Sequence, residues 1–160
     1  MLSVREDAVE RCEETSAYLD EVAATLGSVL GAEAPMRVAV ALYDAPSDTL
    51  HTFAESRGDG PVLRAYAARM DGIPSLYFAR KRDGVRVIDD LTAYIDSSSR
   101  HTKRLLELGY RASYAHAVYD MARLVGVVFV NAREPGFFTS ERRALVAPYA
   151  QVVGLRAALD

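Results

Sequence analysis

Histidine, tyrosine and arginine carry what chemistry this sequence offers. His101 opens the stretch HTKRLLELG, where it recurs at helical spacing with Leu105 and Leu108, so a side chain able to donate, accept or ligate shares a face with hydrophobic anchors. His116 lies in the alternating run ASYAHAVY, on the same strand face as Tyr114. Such a histidine can ligate haem iron or simply pack and hydrogen-bond within a core. Tyr43, Tyr66, Tyr77, Tyr110, Tyr114 and Tyr119 supply flat surfaces with polar ends, suited to a planar ligand or to a protein interior. Arg69, Arg80 and Arg111 offer the planar fork that binds carboxylates and phosphates. The candidate pocket drawn from these residues is Tyr43, Tyr66, Arg69, Tyr77, Arg80, His101, Leu105, Tyr114 and His116.

Catalytic patterns are missing. The single thiol, Cys12, excludes any mechanism that needs a pair. The chain has no HExxH, no phosphate-binding glycine loop and no CxxC. Asp89 and Asp90 are adjacent at a strand end, so their carboxylates point to opposite faces rather than converging as an acid and base. The sequence therefore reads as a binding protein and not an enzyme, with no metal set and with its cofactor unknown.

The elements that must position these residues follow from periodicity. Ser3 to Leu30 is a long helix in which Cys12, Leu19 and Leu26, and Thr15, Val22 and Val29, form two heptad series. Pro35 ends it. Met36 to Tyr43 alternates large aliphatics with small residues, and after the DAPSD turn Thr49 to Ser56 returns as its hairpin partner. A loop over Arg57 to Pro61 leads to a strand over Val62 to Met70, and Ser75 to Arg82 crosses the sheet as a short helix. Val85 to Ile88 is a strand, and Asp89 to Ser99 is a polar, serine-rich connection before His101. Gly109 ends the His101 helix. Ala112 to Tyr119 and Leu124 to Asn131 form a hairpin whose second strand is apolar on both faces, as a central strand requires. A final helix runs from Glu141 to Leu159, capped by Thr139 or Ser140 and bent at Pro148.

Composition bounds the class. The 160 residues fit one domain, and the net charge of −3 gives no field to hold nucleic acid or an anionic membrane. The basic clusters Arg80–Arg82 and Arg100–Arg104 read as solvated helix faces. A lone cysteine fits a reducing compartment, and no apolar run approaches the roughly 20 residues of a membrane span, which places the protein in the cytoplasm.

The run HTKRLLELGYRASYAHAVYDMARLVGVVFVNAREPGFFTSERRALV, with RMDGIPSLYFARKRDGVRVIDDL upstream, resembles a GAF domain. It is similar to the GAF modules linked to HD-GYP-type bacterial signalling proteins and, more distantly, to those of phytochromes, in which a helix carrying histidine leads into a GYRAS-like segment as His101 leads to Gly109. The resemblance implies an α/β (α+β) fold: a six-stranded antiparallel sheet with terminal helices on one face and a ligand-pocket roof, Val62 to Leu108, on the other. It divides the chain into an N-terminal signalling or dimerisation helix, 1–35, and a sensory domain, 36–160. It implies a regulatory module that binds an unknown small molecule, dimerises through its terminal helices and drives an output domain not present in this chain. A bilin or haem sensor and a ligand-free dimerisation module are the alternatives. Many phytochromes place a chromophore-bonding cysteine just before the matching histidine, and here that residue is Arg100.

Overall fold

A computed structural model describes residues 2–56, 67–71, 74–97 and 100–159. Six strands form one antiparallel sheet in the order β3-β2-β1-β6-β5-β4. They are β1 (Arg37–Asp44), β2 (Thr49–Glu55), β3 (Ala67–Arg69), β4 (Val85–Ile88), β5 (Ala112–Asp120) and β6 (Arg123–Ala132). Helices α1 (Leu2–Leu30) and α3 (Ser140–Leu159) cover one face. Two 3-10 helices, Pro74–Arg80 and Leu91–Ser97, and helix α2 (Arg100–Glu107) occupy the other. The loop at Arg57–Pro61 and the start of the expected third strand, Val62 to Tyr66, lie outside the described residues; Ala67–Arg69 pairs with β2 as a strand.

Alternation along β1 divides the interior. Met36, Val38 and Val40 enter a core with Leu19, Val22 and Leu26 of α1 and Val146 and Val153 of α3. Ala41, one residue out of phase, faces the opposite side with Leu50, Leu76, Ala79 and Val127. Strand β6 feeds both layers, Val128 and Val130 to the helices and Val127 and Phe129 to the roof, which is why it is apolar throughout and sits centrally beside β1. Each large aliphatic so buried contributes about 1.5–3 kcal/mol.

The heptad stripe of α1 has an intramolecular destination. Leu19, Val22 and Leu26 are buried beneath the sheet, and Cys12 packs there with its Sγ donating to the Phe53 carbonyl at 3.1 Å. These positions belong to the domain's own core, while Val29 of the second series is 47% exposed. α1 and α3 run antiparallel: Arg142 Nε donates to the Leu30 carbonyl at 3.1 Å, and the Arg156 guanidinium lies 3.9 Å from the Tyr18 ring centre.

Thr139 caps α3 through its Oγ1, which accepts from Arg142 N at 3.3 Å. The helix continues through Pro148, whose side chain is exposed. On its inner side Gly154 meets β5 so closely that a Cβ there would lie 2.4 Å from Val118 Cγ2. Gly154→Ala will therefore lower stability by about 1–3 kcal/mol in urea unfolding despite alanine's better helix propensity. A gain would mean that α3 shifts freely on the sheet.

The polar connection after β4 is tied down at its start. Asp90 Oδ1 accepts from the Thr92 amide at 3.0 Å and its hydroxyl at 2.8 Å, opening the 3-10 helix Leu91–Ser97, while Leu91 is buried. Arg111 grips the same carboxylate through Nε and Nη2 at 2.9 and 2.7 Å. These bonds, the Arg111 contact foremost, hold the Asp90 carboxyl well below the usual carboxylate range. Arg111 is thus engaged within the chain.

Candidate functional site

Between the sheet and its roof lies a cavity of about 210 Å³. Its floor is Arg86 and Ile88 of β4, Ser113 and Ala115 of β5 and Phe129 of β6; its roof is Leu76 and Phe78 of the first 3-10 helix, Leu91 of the second, and His101, Thr102 and Leu105 of α2. Strand parity sets the floor, since Ile88 pairs with Ser113 and Arg86 with Ala115. The first 3-10 helix is pinned by the Tyr119 hydroxyl, which donates to the Ala79 carbonyl at 2.7 Å. Helix α2 is anchored by Leu105, 2% exposed, and closed by Gly109 at φ 90°, a conformation that glycine adopts without a Cβ clash.

His101 hangs from α2 over the floor, its ring edge-on to Phe129 at 6.3 Å between centres and 68° between planes. Burial, reinforced by the positive charge of Arg37, pushes its imidazole down to about 4. At neutral pH it is an uncharged group able both to donate and to accept.

Beside the cavity a polar ladder crosses four strands. Arg37, 2% exposed, donates through Nε and Nη2 to Glu55 Oε2 at 3.2 and 2.6 Å and through Nη1 to Asn131 Oδ1 at 2.7 Å. Asn131 Nδ2 in turn donates to Ser113 Oγ at 3.1 Å. Because a guanidinium can only donate, the Asn131 amide has one possible orientation, and Ser113 Oγ must be an acceptor within the ladder. Desolvation draws the Arg37 pKa down, opposed by Glu55.

Of the residues expected from sequence, His101 and Leu105 line the cavity. Tyr114 and His116 lie on the other face, where the Tyr114 hydroxyl and His116 Nδ1 are 2.9 Å apart and Tyr114 packs on Phe138 at 5.6 Å. Strand alternation separates them from His101, because Ser113 and Ala115 hold the cavity side. Tyr43 packs on the roof side but away from the cavity, its hydroxyl donating to Asp48 Oδ1 at 2.7 Å. Arg69 is exposed on β3. Tyr77 is 50% exposed on the outer side of its 3-10 helix, with the Arg80 guanidinium 5.2 Å from its ring centre. Arg80 also donates to the Met70 carbonyl at 3.3 Å and faces Asp71 at 3.6 Å. Tyr66 lies outside the described residues.

Sequence reasoning missed Arg86, Ser113, Phe129 and the ladder. The available signal was an arginine heading the buried strand RVAVAL and an asparagine closing VVFVN, each a polar residue where the pattern calls for burial. Among the described residues no group of three or more His, Cys, Asp or Glu is placed to hold a metal ion, and no helix is long and apolar enough to cross a membrane.

A six-stranded antiparallel sheet, helices on one face and a roofed cavity on the other define an α+β domain built around a central hollow. Solved structures place that architecture: this chain has the GAF fold. It matches the chromophore-binding domain of the bacteriophytochrome RpBphP3 from R. palustris at 19% identity and a TM-score of 0.59, over 96% of this chain and 60% of that one. The chain thus spans about 60% of the length of that chromophore-binding domain. The blue-light-absorbing form of the PixJ GAF domain from Thermosynechococcus elongatus matches at 18% identity and TM-score 0.61, over 93% of this chain and 88% of that one. The type II free methionine-R-sulfoxide reductase of Thermoplasma acidophilum matches at 10% identity and TM-score 0.64, over 92% and 94%. No protein-family model and no curated protein matches the sequence.

Proposed function

We propose that this domain is a non-catalytic sensor module of a bacterial signal-transduction protein in the cytoplasm, which binds a small molecule in the cavity between the sheet and its roof. The observation that carries the reading is the cavity itself: a largely apolar hollow with His101, Ser113 and Arg86 at its wall, where a filled core would need none of them. A ligand that fits the closed roof better than an open one shifts the balance between the two. The ladder from Ser113 to Arg37 joins that cavity to β1, which follows α1, so α1 (within 1–35) transmits and the rest of the chain (36–160) receives. Its output belongs to a partner or a further domain.

The cavity volume favours a compact metabolite over a four-ring bilin, because pockets for drug-sized ligands begin at about 300 Å³. His116 lies across the sheet from this cavity, which removes it as a haem ligand there. Pairing of two copies through the terminal helices has its own support: Leu145, Val152 and Leu159 are 47%, 60% and 64% exposed at seven-residue intervals along α3.

Leu105→Trp tests the reading by filling the cavity from its roof. In a thermal-shift screen against small metabolites, compounds that raise the melting temperature of the wild type will lose at least about 10-fold in affinity on this variant, the equivalent of about 1.4 kcal/mol. Compounds that bind both proteins equally occupy some other place. Turnover of any of them sinks the proposal of a module without catalysis.

A further inference from the structure

Among the described residues, three arginines that frame this face hold a carboxylate. Arg37 holds Glu55, Arg80 faces Asp71 and Arg111 holds Asp90. Arg86 also lines the cavity, and among the described residues its guanidinium meets the Tyr94 ring at 5.9 Å and forms no ion pair. None of the described residues lining the cavity is acidic.

Two strands bring a second polar group to the same place. Arg86 stands opposite Ala115, and Ser113 is two residues along β5 on the same face, within the diagonal reach of a long side chain. The ladder fixes what Ser113 can offer. Its Oγ already accepts from Asn131, so its hydroxyl proton is left to donate. A half-buried cation and an O–H donor therefore share one wall of a hollow whose large apolar lining is Leu76, Phe78, Ile88, Leu91, Leu105 and Phe129, with Ser75, His101 and Thr102 on the roof side.

We infer that the cavity takes a small monocarboxylate with an apolar body, aromatic or branched aliphatic, its carboxylate held by Arg86 and Ser113 and its body lying against Phe129 and Leu105. A guanidinium binds a carboxylate through parallel hydrogen bonds, and Ser113 adds a third. Size agrees with the class: benzene fills an apolar cavity of about 150 Å³, which leaves room in about 210 Å³ for the acid group. His101, uncharged at neutral pH, adds no second cation, so one carboxylate matches the charge of the wall. The inference rests on the cavity being the ligand site proposed above.

Calorimetric titration with two matched series tests it: benzoate, benzamide and benzylammonium, then isovalerate, isovaleramide and isopentylammonium. In at least one series the acid will bind at least 10-fold more tightly than its amide, and the ammonium compound will not bind. Arg86→Gln will erase the preference, weakening the acid by 10-fold or more while leaving the amide unchanged; Arg86→Lys will keep part of it. Ser113→Ala will weaken acid and amide alike by a few-fold, since both accept its proton. Equal binding of acid and amide by the wild type, or a preference that survives Arg86→Gln, overturns the carboxylate assignment and leaves the small-molecule cavity standing. Should no member of either series bind, and the broad metabolite screen be equally blank, both fall together. The wild-type comparison stands even if a variant fails to fold.

Discussion

Replacing Arg37 with methionine will lower the unfolding free energy by about 3–5 kcal/mol, the cost typical of breaking a buried ion pair from one side. The side chains of Arg37 and Glu55 are 3% and 13% exposed, and their oxygen and nitrogen are 2.6 Å apart. Methionine matches the aliphatic stem of arginine, so the loss comes from polar groups and not from a void. Two acceptors lose their donor at once, Glu55 Oε2 and Asn131 Oδ1. A part-buried carboxylate stripped of its guanidinium is the larger penalty, and adding Glu55→Leu relieves it. In a double-mutant cycle the pair will couple by about 2–3 kcal/mol, so the double variant is more stable than the sum of the single losses predicts. Additive losses in urea unfolding would show that the two groups act independently.

The wild-type domain will lose about 3 kcal/mol as pH falls from 6.5 to about 4 because of His101 alone. The imidazole titrates at its ordinary 6.5 in the unfolded chain and at about 4 in the fold. Above 6.5 both states are neutral and the full stability is present. Below 6.5 the unfolded chain takes up a proton that the folded one refuses, which favours unfolding until the folded imidazole is itself protonated near 4. Burial pushes His116 in the same direction, so it adds a loss of the same sign. Carboxylates also titrate in this window, and the difference between the wild type and His101→Gln removes their share. The curves of the two proteins, measured by urea unfolding at each pH, will converge towards acid. Parallel curves would mean that His101 stays solvated and uncharged chemistry has no place at this wall.

Much of this fold is legible residue by residue, because two-residue alternation decides which side of a sheet a side chain takes. Val38 and Val40 against Ala39 and Ala41 announce a helix-covered face and a sparser one, and the run from Leu124 to Asn131 announces the central strand. The same rule separates His101 from Tyr114 and His116. On the strand alone those two look as available as any, and only the side on which α2 lands removes them. The start of the connection after β4 is less legible, because what fixes it is Asp90 and Arg111, partners distant in sequence whose pairing composition does not announce. The ladder is less visible still: Glu55, Arg37, Asn131 and Ser113 come from four strands, and their convergence requires the register of the whole sheet.

Helices α1 and α3 are stapled where one ends and the other begins, by Arg142 on Leu30, and α1 continues to Leu2 beyond the point where Ala157 and Arg11 border one shallow hollow. From there to Leu2 the helix runs roughly nine more residues, about 13 Å at 1.5 Å per residue. The first half of α1 and the end of α3 thus lie at one pole. A tilt of α1 by a few degrees about its Leu30 seat would grow along its 29 residues, so the far end of the helix would sweep further than the end stapled to α3.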